Sequence, residues 1–388
     1  MAISKRITII GFLTMFIVGV SDLIVVGMLG EMSKEFHVSK ALIGQLVTLY
    51  AIAFSILSPI LTKLTKNIND KNILVYGLII FILLTLMTTI IRNYILLCLV
   101  RIVLAGVASL ITVKLMATGA NIVPEEYKAS VIANIYVGFS AANILGIPLG
   151  TLIASQYNWK LPFYLIAIIT FLCLLGVLYF IPHKTEDQSV NNTEYKVINY
   201  KGIILILVFL LLMMVSNSIL FTYIEPLVKS NGHSIFIVSL CLFLSGIAGV
   251  LGSKLGNSLS EKKGYNIAGN IIIGVYTISI IFIWFAGGNV LILTLCVFIW
   301  NLFHWGTNPT VQYALLKFLR GDPSQILSYD ISVLNLGIGL GSFIGGILYY
   351  IDYHFNLSLM ISIILAVCSS LILKMVVRSE YMLSLIHI

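Results

Sequence analysis

Apolar residues in this chain come in runs of about twenty or more, the length that crosses a hydrocarbon core, broken by short stretches rich in Lys, Asn, Asp, Gly and Pro. Twelve runs can be marked. Six lie near 7–30, 42–64, 73–91, 94–119, 130–154 and 161–181; six more lie near 202–228, 235–259, 266–287, 289–317, 325–350 and 355–377. Each is predicted to form a spanning helix, because in lipid the backbone must satisfy its own hydrogen bonds. The first run, Ile7 to Leu29, is too long for a signal-peptide core and lacks a small-residue cleavage site, so it is expected to stay as a span.

The longest polar stretch, "PHKTEDQSVNNTEYKVINYKG" from Pro182 to Gly202, divides the chain after span six. The two halves echo each other at a nearly constant offset. "LGIPLGTLI" at 145–153 in span five returns as "LGIGLGSFI" at 336–344 in span eleven, with six of nine positions identical. The basic stretch after span two, "KLTKNINDKN", has a counterpart after span eight, "KLGNSLSEKKGYN". A duplicated six-helix unit is the economical reading, and such repeats recur in secondary transporters. The expected fold is an all-α polytopic membrane protein of twelve transmembrane helices in two pseudo-symmetric six-helix bundles: 1–181, a linker at 182–201, and 202–388.

Composition supports a membrane solvent. Only 10% of the 388 residues are charged, where a soluble chain carries about a quarter. The formal charge of +8 does not form a nucleic-acid patch, because the basic residues sit between apolar runs. They read as topology instead. With the N-terminus inside, 16 of the 23 Lys and Arg fall on the cytoplasmic side, 5 on the outer side, and Arg101 and Lys114 within a span. The positive-inside rule then places both termini in the cytoplasm. Cys98, Cys173, Cys241, Cys296 and Cys368 lie inside apolar runs with no metal-ligand spacing, so packing is their expected role and no metal or cofactor is implied.

Spans five and eleven put small residues where a stable helix favours Leu. Gly138, Gly146 and Gly150 recur at multiples of four, as do Gly337, Gly341 and Gly345, and each set forms a smooth stripe. Pro148 adds a bend and frees a carbonyl. Two roles fit the stripes: tight packing inside one half, or a sliding contact between halves.

Span five reads "GFSAANILGIPLGTLIASQYNWKLPFYLIAII". In this stretch the chain resembles the antiporter motif of the major facilitator superfamily, and within it the branch of drug:proton antiporters and arabinose-efflux-like permeases. "RIVLAG" in span four, "IVPEEYKASVIA" after it, "LFTYIEP" in span seven, "HWGTNPTVQYALL" in span ten and "LNLGIGLGSFIGGIL" in span eleven add to the resemblance. It implies a transporter fold and alternating access. The sequence departs from the superfamily after span two, where "TKLTKNINDKN" has Lys66 in place of an Asp and no arginine, and in span four, where Ala108 and Ser109 stand where relatives often carry His-Gly.

Ionisable residues at membrane depth carry the functional signal, because an unpaired charge there is costly. Asp22 in span one and Arg101 in span four both lie roughly 10–12 Å below the outer surface, at about 1.5 Å per residue, and are expected to face each other. Burial favours a neutral acid, a guanidinium favours the carboxylate, and Arg itself keeps its proton, so Asp22 is the candidate proton acceptor and Arg101 its fixed counter-charge. In the resembled branch, an acid of span one and the Arg of span four are commonly functional. A static ion pair that only fixes helix packing is the competing reading. Glu225, near the outer end of span seven, is a further proton-coupling candidate, though interfacial water could also serve it. Lys114 is expected to snorkel to the cytoplasm, and Asp330 to sit at the N-terminal dipole of span eleven.

Asn143, Asn217, His304, Asn308 and Asn335 fall close to the midplane of their spans, where sites of this architecture lie. Trp300 joins them in "WNLFHWGTNPTVQY", whose aromatic and amide mixture suits a small amphipathic ligand. Interhelical hydrogen bonding explains each residue singly. Together they form the candidate substrate cavity.

The sequence therefore predicts a monomeric secondary transporter that takes a small-molecule substrate and protons, with export of a drug, sugar or nucleobase-like solute ahead of uptake. A membrane enzyme would need a clustered catalytic set at an interface, and none is present; no P-loop pattern supports ATP-driven transport either.

Overall fold

The computed structural model describes residues 2–65, 67–121, 131, 134, 135, 137–181, 196–286, 288–320 and 324–386. Lys66, most of the stretch after span four and the linker residues 182–195 lie outside the described residues. Among those described, eleven helices are long and apolar enough to cross a membrane. One of them, Ile235–Phe285, runs for 51 residues and supplies two spans, because Gly264 breaks it with φ 77° and ψ 158°. The twelve predicted spans are thus present.

Their starts are set by short polar side chains that accept from otherwise unpaired first-turn N–H groups. Ser39 Oγ accepts from Leu42 N at the head of span two (Lys40–Leu64), and Asn69 Oδ1 from Lys71 N at span three (Asp70–Ile90). Asn199 Oδ1 accepts from Gly202 N at span seven (Tyr200–Phe221). Asn289 Oδ1 takes both Leu291 N and Ile292 N at span ten (Val290–Lys317). Outward faces carry large apolar side chains: Ile168, Leu172 and Phe282 are each more than half exposed, as expected where lipid is the solvent.

The chain divides into two compact units, Met1–Gln188 and Ser189–Ile388. In the first, span one (Arg6–Gly27) lies against spans four (Tyr94–Gly119), five (Val137–Gln156) and six (Leu161–Phe180), while span two packs on span four and span three on spans four and six. In the second, span seven lies against spans eleven (Tyr329–Ile351) and twelve (Asn356–Tyr381), and the helix of spans eight and nine packs on spans ten and twelve. Spans one and seven also end alike. The first breaks into a 3-10 turn, Ile24–Gly27, and then a short helix, Leu29–Phe36; the seventh breaks before the short helix Ile224–Ser230. Pairing of one with five and six, repeated as seven with eleven and twelve, matches the internal repeat read from the sequence.

The glycine stripes are used inside each unit. A Cβ on Gly138 would stand 2.1 Å from the Phe12 carbonyl oxygen, and one on Gly146 2.2 Å from Val20 Cγ2, so the stripe of span five lies flush on span one. On span eleven, a Cβ at Gly341 would meet the Val215 carbonyl at 2.6 Å, and one at Gly337 would meet Met214 Cβ at 2.5 Å, so that stripe lies on span seven. Close backbone approach is what holds helices together where the hydrophobic effect is absent. Span five absorbs Pro148 by a π-turn, Ala142–Gly146, immediately before the α-helix Ile147–Gln156 resumes.

The one departure from all-α structure among the described residues is a two-residue antiparallel pair. Lys196–Val197 pairs with Leu319–Arg320, and Ile198 N donates to Phe318 O at 2.9 Å, joining the entry to span seven to the end of span ten.

Candidate functional site

Arg101 and the end of span one form the charged centre of the first unit. Arg101 is 1% exposed. Its two terminal nitrogens donate to backbone carbonyls of span one, Nη1 to Ser21 O at 2.9 Å and Nη2 to Asp22 O at 3.1 Å. Those carbonyls are free because the α-helix ends at Leu23, where the last turn has no following N–H groups to accept from. The guanidinium also lies over the Tyr50 ring of span two, 4.7 Å from its centroid. Three spans are therefore tied together by one side chain.

The expected pairing of Asp22 with Arg101 is corrected in its detail. The two residues are neighbours, and Asp22 is half-buried within electrostatic reach of the guanidinium. Direct contact is made to the backbone of Asp22 rather than to its carboxylate, because the helix end presents two unpaired carbonyls to a forked donor. The carboxylate is thus not locked in a bidentate ion pair. Arg101 Nε has no hydrogen-bond partner among the described residues and keeps one donor in reserve. Tyr50 carried no signal in the sequence beyond being an aromatic residue inside span two.

Two other charged residues of the spans find partners inside the protein. Lys114 reaches the inner end of the bundle but not open water; it is 8% exposed and its Nζ donates at 2.8 Å to Oδ1 of Asp70, the first residue of span three. Its helix runs on to Asn121, so Lys114 lies about two turns inside it, and a partner on span three satisfies the ammonium better than a long reach to water. Glu225 does not face interfacial water either. It is 1% exposed and accepts from Lys229 Nζ at 2.8 Å, one turn along its own short helix.

The candidate cavity residues separate into three groups. Asn143 and Asn335 spend their amide nitrogens on their own helices, bonding Phe139 O and Ile331 O. Trp300 and His304 are buried in the second unit, where Trp300 packs edge-on to Phe221 at 6.4 Å and His304 lies 6.1 Å from the Tyr276 ring. Tyr276 is held by Ser216, whose hydroxyl lies 2.8 Å from the phenol oxygen and donates to Ser362 O. Asn217 Oδ1 and His304 Nδ1 are buried with no hydrogen-bond partner among the described residues, an arrangement that leaves polar capacity for a ligand. Asn308 forms the third group with Asp330. That acid is corrected as well: its helix starts at Ser324, so Asp330 lies in the second turn, fully buried, and not at the dipole end.

Against known proteins, the family model described as Major Facilitator Superfamily matches residues 11–326. This chain belongs to the major facilitator superfamily. It is 25% identical over 336 residues to the MFS-type transporter YbcL of Bacillus subtilis (strain 168), covering 86% of each chain. It is 26% identical over 341 residues to a probable sugar efflux transporter of Helicobacter pylori (strain HPAG1), covering 87% of each. Its fold matches a bacterial homolog of the human lysosomal transporter Spinster with a TM-score of 0.76 over 97% of both chains, at 13% identity. The chain is thus a multi-pass membrane protein of a transporter superfamily.

Proposed function

We propose that this chain is a proton-coupled exporter of a small polar solute of the sugar class, working by alternating access as a monomer in a bacterial cytoplasmic membrane with both termini inside. The observation that carries the reading is Arg101, buried on the broken end of span one beside Asp22. A fixed cation near an acid that is not itself hydrogen-bonded to it leaves the acid able to exchange a proton with whichever side is open. Arg101 keeps the helix end in place through both protonation states, because its bonds run to the backbone. The sugar class comes from the relatives named as probable sugar efflux transporters, and the buried amide and hydroxyl groups around Asn217, Ser216 and Tyr276 suit a hydroxylated solute.

The test uses everted membrane vesicles whose interior is acidified by respiration and reported by quenching of a weak-base dye. A panel of monosaccharides, nucleosides and cationic drugs is added in turn. An exporter relieves the quenching when its substrate enters the vesicle in exchange for protons. Asp22→Asn is expected to abolish that response. A full response in Asp22→Asn vesicles ends the proposal.

A further inference from the structure

Asp330 is a buried acid that the reading above does not use. It has no exposed surface and lies in span eleven, which packs on span seven. Gln312 Nε2 of span ten donates to its Oδ2 at 2.9 Å. Asn308, one turn earlier on span ten, presents its amide to the same carboxyl; with the nitrogen turned inward it donates to Oδ2 at 3.0 Å and Oδ1 at 3.2 Å. The helices packed against span eleven carry Lys201 in span seven, His304 and Lys317 in span ten, and Lys374, Arg378 and Glu380 in span twelve. Lys317 and Glu380 pair with each other, and among the described residues no cation of these helices pairs with Asp330.

A buried carboxylate held, among the described residues, only by neutral donors carries a charge that no described cation offsets. A bound proton removes that charge, and the site is built to accept either form. An asparagine amide has donors at one end and an acceptor at the other. With its nitrogen inward, Asn308 donates to the carboxylate. With its oxygen inward, it accepts from the O–H of the acid. Gln312 bonds Oδ2 in both cases, so neither state leaves the carboxyl without partners. A metal ion is disfavoured by the same geometry, since Gln312 presents a donor where a cation needs an oxygen.

We propose that Asp330, with Asn308 and Gln312, is a second proton-binding site, housed in the C-terminal unit and separate from Asp22. It rests on the proton-coupled reading and adds a second proton to the cycle. Uptake forms one O–H bond on a carboxyl oxygen at the expense of hydronium, leaving water; release reverses this. Asn308 acts as a positioning residue whose amide turns over once in each direction.

The test is infrared difference spectroscopy on the full chain in lipid nanodiscs, titrated in sodium-free buffer across about pH 4 to 9, the range around ordinary carboxyl titration. The protonated-carboxyl C=O band is expected to lose one contribution in Asp330→Asn and a different one in Asp22→Asn. In Asp330→Glu the contribution should move rather than vanish, and in Asn308→Leu its midpoint should shift by about one pH unit or more. These last two variants keep the carboxyl and decide the matter should Asp330→Asn fail to fold. Bands and midpoints identical to wild type in all three site variants overturn the proposal, as does a band titrated by sodium at fixed pH. Loss of the Asp330 contribution stands whatever the vesicle assay says of Asp22, so the two readings fail separately.

Discussion

Gly138→Ala tests whether span five is held to span one by backbone approach. The added methyl would stand 2.1 Å from the Phe12 carbonyl oxygen, 2.9 Å from its carbon and 3.0 Å from the Phe16 nitrogen. All three atoms are backbone, so no rotamer change relieves the clash, and the helices must part by about 1 Å to restore ordinary contact near 3.4 Å. Overpacking of this kind costs about 1–3 kcal/mol, and the absence of any yielding side chain puts Gly138 at the upper end. Alanine gains about 1 kcal/mol of helix propensity over glycine, which leaves a net loss of about 2 kcal/mol. Gly274, in span nine, supplies the control, because a Cβ there meets nothing within 4 Å. Gly274→Ala should keep the propensity gain of about 1 kcal/mol, so the two variants are expected to differ by about 3 kcal/mol. Thermal unfolding of both proteins, purified in one detergent and followed by intrinsic fluorescence, measures the order. Equal midpoints, or a higher one for Gly138→Ala, would refute the close-approach argument.

Arg101→Lys keeps the charge but loses the fork that bridges Ser21 O and Asp22 O; losing one charge-assisted bond of about 1.5–3 kcal/mol predicts a fall of about ten- to a hundredfold in transport, measured in the same vesicles. Wild-type rates in that variant would show that the bridge has no part in the cycle. A double-mutant cycle with Lys114→Met and Asp70→Asn should give a coupling of about 1–2 kcal/mol in thermal stability, between the values for exposed and buried pairs, since the Asp70 side chain is 31% exposed. Zero coupling would assign Lys114 to packing alone. Glu225→Gln, in contrast to Asp22→Asn, is expected to leave the proton response present, because Lys229 already neutralises Glu225 on its own helix; an abolished response would return Glu225 to the coupling machinery.

What the sequence determined was the architecture. Span length, the positions of Lys and Arg, and the repeated glycine stripe are local patterns that lipid and close packing impose residue by residue, so twelve spans and a duplicated unit could be read without coordinates. The matched level of Asp22 and Arg101 along their helices was legible for the same reason, since rise per residue is fixed. Lateral partners were not. A span's sequence does not say where its neighbour's helix breaks, and that break is what turned Arg101 toward two carbonyls instead of a carboxylate. Lys114 found Asp70, and Asp330 found Gln312 and Asn308, across helices whose contacts depend on rotation about their axes. Charge pairing at membrane depth is decided by those rotations, and only the packed bundle fixes them.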